Sequence, residues 1–211
     1  MTDGPTNPIS GGRKSLIERA KDIILKPKEE WGVIDAEPNT IGGIYTSYVV
    51  ILAAIGPIAS LIGQQVFGIY GFKPSISYSL TTSVLQYALS LVGVYLVALI
   101  IDALAPSFGG TKNSLNAFKV AAYMWTAAWL AGIFAIVPQL AMLGIVGLYS
   151  LYLLYLGLPR LMRVSEDRAV GYVVVTIIAA IVVYVITLFL LGMLVVMLVG
   201  VPTVPGMPVY R

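Results

Sequence analysis

The sequence predicts an all-α membrane protein in which five transmembrane helices follow a cytoplasmic amphipathic helix at the membrane interface. Three observations lead to this prediction. Hydrophobic residues make up 58% of the chain and charged residues 11%, against about 45–50% and 25% in soluble domains. Five apolar runs are long enough to cross a hydrocarbon core of ~30 Å. Most lysine and arginine residues fall in alternate segments between these runs.

The first 40 residues divide into two parts. Residues 1–14 are rich in Gly, Pro, Ser and Asn, a composition that predicts a disordered arm. Residues 15–40 form the interfacial segment, in which Ser15 and Glu18 fit a capping box, apolar residues recur at helical spacing, and Pro27 ends the helix. We expect this helix to lie in the interface with Trp31 as an anchor. The alternative is a helix packed on the cytoplasmic loops.

Residues 41–200 form the predicted transmembrane domain. Its five spans are expected at about residues 44–67, 80–105, 117–137, 140–158 and 172–199. Pro57 lies in the middle of the first span and predicts a kink, because proline removes a helical hydrogen bond. The third and fourth spans return tightly at Pro138, and Gly132, Gly144 and Gly147 would let them approach closely. Residues 201–211 are the expected extracytoplasmic tail.

The distribution of basic residues predicts the orientation. With the N-terminus in the cytoplasm, eleven Lys and Arg residues lie inside and two lie outside, which favours a cytoplasmic N-terminus and an extracytoplasmic C-terminus. The inside set is Arg13, Lys14, Arg19, Lys21, Lys26, Lys28, Lys112, Lys119, Arg160, Arg163 and Arg168; the outside set is Lys73 and Arg211. We therefore expect a multi-pass protein of the cell membrane.

Three stretches carry a family resemblance. They are SLIERAKDIILKPKEEWGVI, then Phe108-Gly109-Gly110 followed by AFKVAAYMWTAAWLAGIF, and finally GLYSLYLLYLGLPRLMRVSEDRA. In this order, with five spans, they resemble the Yip1 family of integral membrane proteins in its prokaryotic form. Eukaryotic members are associated with Rab GTPases and with vesicle traffic between endoplasmic reticulum and Golgi. The eukaryotic Asp-Leu-Tyr-Gly-Pro element is absent here, so the resemblance implies fold and location rather than Rab binding.

Asp102 and four glutamines are the polar candidates for a functional site. Asp102 is the one carboxylate within a predicted span, and intramembrane acids are functional candidates by default. The alternative is that it reaches water or pairs with Lys112 or Lys119. The amides are expected near the outer face, where they either form a polar pocket or make ordinary interhelical hydrogen bonds; they are Gln64, Gln65, Gln86 and Gln139.

Two further groups lie on the fourth span and directly after it. Tyr149, Tyr152 and Tyr155 form a stripe that is typical of helix packing and interface anchoring. Arg160 and Arg163 lie at the helix C-terminus, where cations are favoured. They serve either as positive-inside anchors or as a docking patch for anionic lipid or a partner.

Composition limits the function classes. The chain contains no His and no Cys, so the usual metal ligands and nucleophile–base pairs are missing, and we expect no enzyme activity, metal or cofactor. A net charge of +3 does not indicate nucleic-acid binding. We expect a scaffold or adaptor that organises lipids or partner proteins, with the bilayer, anionic lipids at the cytoplasmic face, and a protein partner or a second copy as binding partners. The alternative is a small-solute or ion transporter or channel with a polar pocket in the bundle.

Overall fold

The computed structural model describes residues 14–69 and 72–200, and these residues form helices and no β-strand. The predicted tail and all but one residue of the predicted arm lie outside the described residues. In chain order the helices are α1 (Leu16–Leu25), α2 (Pro27–Ala36), α3 (Ile41–Val66), α4 (Ile76–Phe108), α5 (Ser114–Ile136), α6 (Met142–Met162) and α7 (Glu166–Val199). The last five are long and apolar enough to cross a membrane, which confirms the predicted all-α membrane fold with five spans after an N-terminal helix.

The first two helices meet at a single residue, Lys26, and form the N-terminal helix pair (residues 14–37). The predicted capping box is present, because the Ser15 hydroxyl accepts from the Glu18 N–H and the Glu18 carboxylate accepts from the Ser15 N–H. Pro27 ends α1 as predicted, and it also begins α2 in a position that proline favours.

The helix α3 begins at the N-cap Thr40, whose hydroxyl accepts from the Gly43 N–H. It contains a π-helical stretch, Tyr45–Val49, and is interrupted at Ala53 and Ala54. The interruption lies one turn before Pro57, which has no N–H to donate to the carbonyl of Ala53. The helix is thus interrupted where the proline acts, as the predicted kink requires.

The helix α5 lies at the centre of the bundle, whereas α7 lies at its edge. Half of the most apolar stretch of α5 is buried, against 17% for α7. Small residues allow this close packing: an ideal Cβ on Gly132 would come within 2.9 Å of the Gly56 Cα in α3. Gly147 contacts Ala128 of α5 in the same way, at 3.2 Å, as predicted for the third and fourth spans. The prediction is wrong for the other two glycines, since a Cβ on Gly132 would meet α3 and not α6, and a Cβ on Gly144 would meet no atom within 4 Å.

The turn between α5 and α6 is flanked on both sides by 3₁₀-helix, which lengthens both helices per residue. Residues Gly132–Ile136 and Pro138–Leu148 are 3₁₀-helical, and the regular α-helix of α6 occupies Tyr149–Met162. Because a 3₁₀-helix rises about 2.0 Å per residue, these stretches cover more of the bilayer than α-helix of the same length.

Two of the family-like stretches meet at the end of the bundle that carries the helix pair. Phe108 stacks on Tyr172 of α7, with ring centroids 5.0 Å apart. The Thr111 N–H donates to the carbonyl of Met162, and a Cβ on Gly110 would come within 2.7 Å of that same oxygen. The loop of residues 108–111 and the turn between α6 and α7 therefore hold each other in position through these contacts.

Candidate functional site: the docked N-terminal helix pair

Trp31 fastens the helix pair to the bundle. Its side chain is fully buried and packs edge-on against Tyr123 of α5, with ring centroids 6.4 Å apart. The indole occupies a notch on α6 at Gly157, where an ideal Cβ would lie 2.5 Å from two of its ring atoms. The expectation that Trp31 is an interfacial anchor is therefore wrong, because the ring is covered by protein on every side.

A buried ionic network lies between α1 and α2. Arg19 is 3% exposed and Glu30 is 2% exposed. The Arg19 guanidinium donates to Glu30 at 2.5 Å and also to Glu37, and it lies 5.7 Å from the centre of the Tyr123 ring. Since a buried charge is costly unless it is paired, these contacts require the two helices to stay together on α5.

Lys14 extends this network to the partly exposed face of α1. Its ammonium donates to Asp22 and to Glu30, at 2.6 Å in each case. Although partial burial favours the neutral amine, the two hydrogen bonds raise the pKa of Lys14 above its usual range. The hydrogen bond from Lys14 likewise lowers the pKa of the Asp22 carboxyl.

The bundle also binds the carbonyl ends of both helices. Lys119 of α5 is buried, and its ammonium donates to the carbonyls of Ile34 (2.7 Å) and Glu37 (2.8 Å) at the end of α2. A cation is favoured there, since the last carbonyls of a helix have no internal partner. The Tyr149 hydroxyl donates to the carbonyl of Ile24 near the end of α1.

Both arginines that were predicted as a docking patch contact α2. Arg163 donates through two nitrogens to the two carboxylate oxygens of Asp35, at 2.9 and 3.0 Å. Arg160 donates to the carbonyl of Lys28 at 3.4 Å, and its guanidinium lies beside Gly32. Both side chains remain exposed, so their outer faces stay accessible.

Asp102 is buried near the same end of the bundle. It is 6% exposed and accepts a hydrogen bond from the Ser114 hydroxyl at 2.9 Å, while its other oxygen has no partner among the described residues. The suggested pairing with Lys119 is wrong, because that ammonium binds the end of α2. No ion pair with Lys112 is present in the described part of the chain.

The four glutamines do not come together. Gln64 and Gln65 both hydrogen-bond the Ser79 hydroxyl, at 2.9 and 2.8 Å, and so join α3 to α4. Gln139 is exposed in the 3₁₀-helical return, and its side chain makes no hydrogen bond to the described residues. Gln86 lines a cavity of about 470 Å³ between α3, α4, α5 and α7. The wall of this cavity is mainly apolar, and neither Asp102 nor the other three amides line it.

The tyrosine stripe on α6 faces two environments. The Tyr149 ring is partly buried, in contact with α1 through its hydroxyl and with Tyr152 at 5.3 Å between ring centroids. Tyr152 and Tyr155 are 40% and 48% exposed. These two rings lie on α6 between Tyr149 and Arg160. The corner of the helix pair, at Lys26 between α1 and α2, lies beside this stretch, because Tyr149 binds the carbonyl of Ile24 and Arg160 binds that of Lys28.

The sequence patterns assigned Trp31 and Lys119 other roles, and they did not single out Arg19, Glu30 or Gly157 as docking residues. A signal was present for two of them. Acidic residues directly after Pro27 are typical of a helix start, and a glycine inside an apolar helix is typical of a close contact.

Comparison with known proteins agrees with this architecture. A family model described as the Yip1 domain matches residues 21–189. The inner membrane protein YohC of Escherichia coli K12 is 30% identical over 122 residues, which cover 55% of this chain and 62% of that protein. YohC of Escherichia coli O6:H1 matches to the same extent. The match thus spans less than two thirds of either relative. No solved structure matches the chain.

Proposed function

The chain belongs to the Yip1 family of multi-pass integral membrane proteins, and we propose that it is a non-catalytic scaffold that organises lipids or partner proteins at one membrane face. The observation that carries this proposal is the rigid docking of the helix pair by Trp31, Arg19 and Lys119. A peripheral helix that only rests on lipid needs no such buried contacts. A pair that is fixed to the bundle presents a surface of constant shape.

The position of the pair supports lipid contact. Its corner at Lys26 lies beside the stretch of α6 that carries the exposed rings of Tyr152 and Tyr155. Tyrosine is enriched at the level of the headgroups, and exposed lysines are costly any deeper in the membrane. The corner therefore fits the headgroup layer, where Leu25, 64% exposed, would meet the acyl chains.

The charge of this end fits an anionic surface. Among the described residues it carries seven exposed cations and four exposed carboxylates, while Asp22, Asp35 and Glu37 are half-buried and paired with Lys14, Arg163 and Arg19. The cations are Lys21, Lys26, Lys28, Lys112, Arg160, Arg163 and Arg168, and the carboxylates are Glu18, Glu29, Glu166 and Asp167. Each basic residue near an anionic membrane surface contributes about 1 kcal/mol of attraction. The cationic end also supports the proposal that the N-terminus is cytoplasmic.

Reversing three corner charges tests the lipid proposal. We expect Lys21→Glu, Lys26→Glu and Lys28→Glu together to abolish enrichment of phosphatidylglycerol around the reconstituted protein, measured by energy transfer from tryptophan to a dansyl-labelled lipid. The three lysines are exposed, so the fold should persist. Lys73→Glu at the opposite end is the matched control and should change nothing. Enrichment that survives the triple reversal, or that does not weaken between 0.15 and 1 M salt as screening requires, refutes lipid organisation at this face.

The orientation can be tested directly because the chain has no cysteine. We expect a single cysteine at Lys26 to react with a membrane-impermeant maleimide only after cells are opened. A single cysteine at Lys73 should react on intact cells. The reverse pattern would place the helix pair outside and remove the cytoplasmic leaflet as its binding surface.

A transporter of charged or polar solutes is not supported by the bundle. Such a pathway needs polar groups along its wall, whereas the cavity between the helices is mainly apolar.

A further inference from the structure

The cavity between α3, α4, α5 and α7 has the properties of a binding site for hydrocarbon. We call it the intramembrane cavity. It has a volume of about 470 Å³ and is partly open to the surface of the bundle. Small residues on each of the four helices create it, among them Gly56, Gly93, Ala128 and Ala180. The volume is within the range of ligand pockets, about 300–1,000 Å³.

The polar groups on the wall are few, and two are already satisfied. The Ser90 hydroxyl donates to the carbonyl of Tyr87, and the Thr187 hydroxyl donates to that of Val183, each within its own helix. A buried water needs two to four polar partners, so the greater part of this wall offers water nothing to bind. If the cavity were empty, the side chains along its wall would lose van der Waals contacts on that side.

The dimensions match one acyl chain. Along α4 the wall extends from Gln86 to Val97, which is about 16 Å at 1.5 Å per residue. That is about half of the ~30 Å hydrocarbon core, or the depth of one leaflet.

We propose that the intramembrane cavity binds one acyl chain of a phospholipid from the surrounding bilayer. The occupant follows from location: the cavity lies among helices that span a membrane, so the fluid at its opening is hydrocarbon. An acyl chain packs against the apolar majority of the wall and needs no hydrogen bond from it. This inference is independent of the proposed scaffold function, because none of the residues that dock the helix pair line the cavity.

Gly93 offers a substitution that fills the cavity with little disturbance. It lines the cavity, and an ideal Cβ on it meets no atom within 4 Å. Gly192 of α7 is the matched control, since a Cβ there also meets no atom within 4 Å but the residue does not line the cavity. Ser90→Leu provides a second filling variant, because the hydroxyl that it removes bonds only to its own helix.

The experiment uses the full chain, reconstituted in phosphatidylcholine vesicles whose acyl chains are brominated, and measures quenching of tryptophan fluorescence. Trp125 and Trp129 line the cavity, whereas buried Trp31 gives the same background in every variant. We expect Gly93→Leu and Ser90→Leu to lose the quenching component that the wild type and Gly192→Leu retain. Equal quenching in all four proteins overturns the proposal.

A second measurement does not depend on a variant that folds. After exchange into detergent, native mass spectrometry of the wild type should show one retained phosphatidylcholine per chain. Retention of no lipid, of a free fatty acid alone or of an isoprenoid overturns the proposal. Lipid retention that Gly93→Leu does not reduce, in a protein with unchanged circular dichroism, also overturns it, because the lipid is then bound elsewhere.

Discussion

Replacing Gly157 with alanine should release the N-terminal helix pair from the bundle. An ideal Cβ at this position would lie 2.5 Å from two ring atoms of Trp31 and 2.7 Å from a third. No Cβ is accommodated that closely, and the rigid indole cannot turn aside because it is enclosed between Gly157 and Tyr123. Either the ring leaves its notch, or α2 moves away from α6.

The size of the effect lies between two limits. If the ring leaves completely, the loss approaches the cost of truncating a buried tryptophan, about 3–5 kcal/mol. If α2 only shifts, the cost is that of overpacking, about 1–3 kcal/mol. Helix propensity does not enter this difference, because α6 is helical whether the pair is docked or released. We therefore expect docking of the pair to weaken by about 1–5 kcal/mol.

Hydrogen exchange of residues 16–36 in the reconstituted protein measures this docking. We expect faster exchange in Gly157→Ala, whereas Gly192→Ala, where a Cβ meets no atom within 4 Å, should behave as the wild type. A double-mutant cycle isolates the contact: in a Trp31→Ala background the alanine at Gly157 should cost nothing. An equal penalty in both backgrounds would refute the reasoning, since the clash would then not involve Trp31.

Three further predictions concern the polar contacts of the helix pair. Lys119→Met should weaken docking of the helix pair by about 1.5–3 kcal/mol, which is the contribution of hydrogen bonds to a charged group. The measurement is hydrogen exchange in the last turn of α2, which should become faster. Unchanged exchange there would contradict the role of Lys119 in capping α2. Arg19→Met should lower the free energy of unfolding by about 3–5 kcal/mol, because Glu30 is then buried without its main partner. Adding Glu30→Met should recover most of this loss in a thermal unfolding assay. If the double variant recovers nothing, the pairing of Arg19 with Glu30 is contradicted. Because Lys14 lowers the pKa of Asp22 below its usual value of 3.8, the contribution of Asp22 should be complete above that pH and should disappear as the pH falls through the lowered value. Exchange of α1 measured against pH should show this loss, and Lys14→Met should abolish it.

The transmembrane architecture could be predicted from sequence because hydrocarbon imposes its constraint locally. A run of apolar residues must be helical in lipid, whatever its neighbours are. For the same reason the break near Pro57 was predictable, since the missing N–H acts on its own helix. The capping box at Ser15 was predictable too, because both partners lie within one turn.

The docking of the helix pair could not be predicted, because its contacts join residues that are distant in sequence. In the sequence, Trp31 lies close to Lys28, Glu29 and Glu30, a pattern that is typical of a residue at the membrane interface. Its contact with Gly157 arises only in the folded chain. Lys119 reads as a positive-inside residue, and only the fold brings the end of α2 within 2.8 Å of it. The second helix had a local signal, proline at its first position, which the sequence reading used only as the end of α1.

Two of the helices are longer than a membrane crossing requires. The helices α4 and α7 have 33 and 34 residues, or about 50 Å at 1.5 Å per residue, against a hydrocarbon core of ~30 Å. A helix that crosses without tilting would therefore extend beyond the acyl chains by about 20 Å, or roughly two fifths of its length. At the far end of α7 the exposed side chains of Val196, Met197 and Leu198 are apolar, whereas the hydroxyl of Tyr172 binds the carbonyl of Ile101 towards the end that carries the helix pair. The excess length of α7 thus belongs at that end, whereas α4 also has the exposed Ser77 in its first turn at the far end.

The position of Asp102 changes its interpretation. A carboxylate within a span indicates an ion or proton pathway, but Asp102 is six residues from the end of α4 at Phe108, or about 9 Å along the helix, and it is held by the Ser114 hydroxyl. These contacts favour a structural role. The buried charges of the helix pair are likewise held by fixed partners, since Arg19 pairs with Glu30 and Lys119 binds the carbonyls of Ile34 and Glu37.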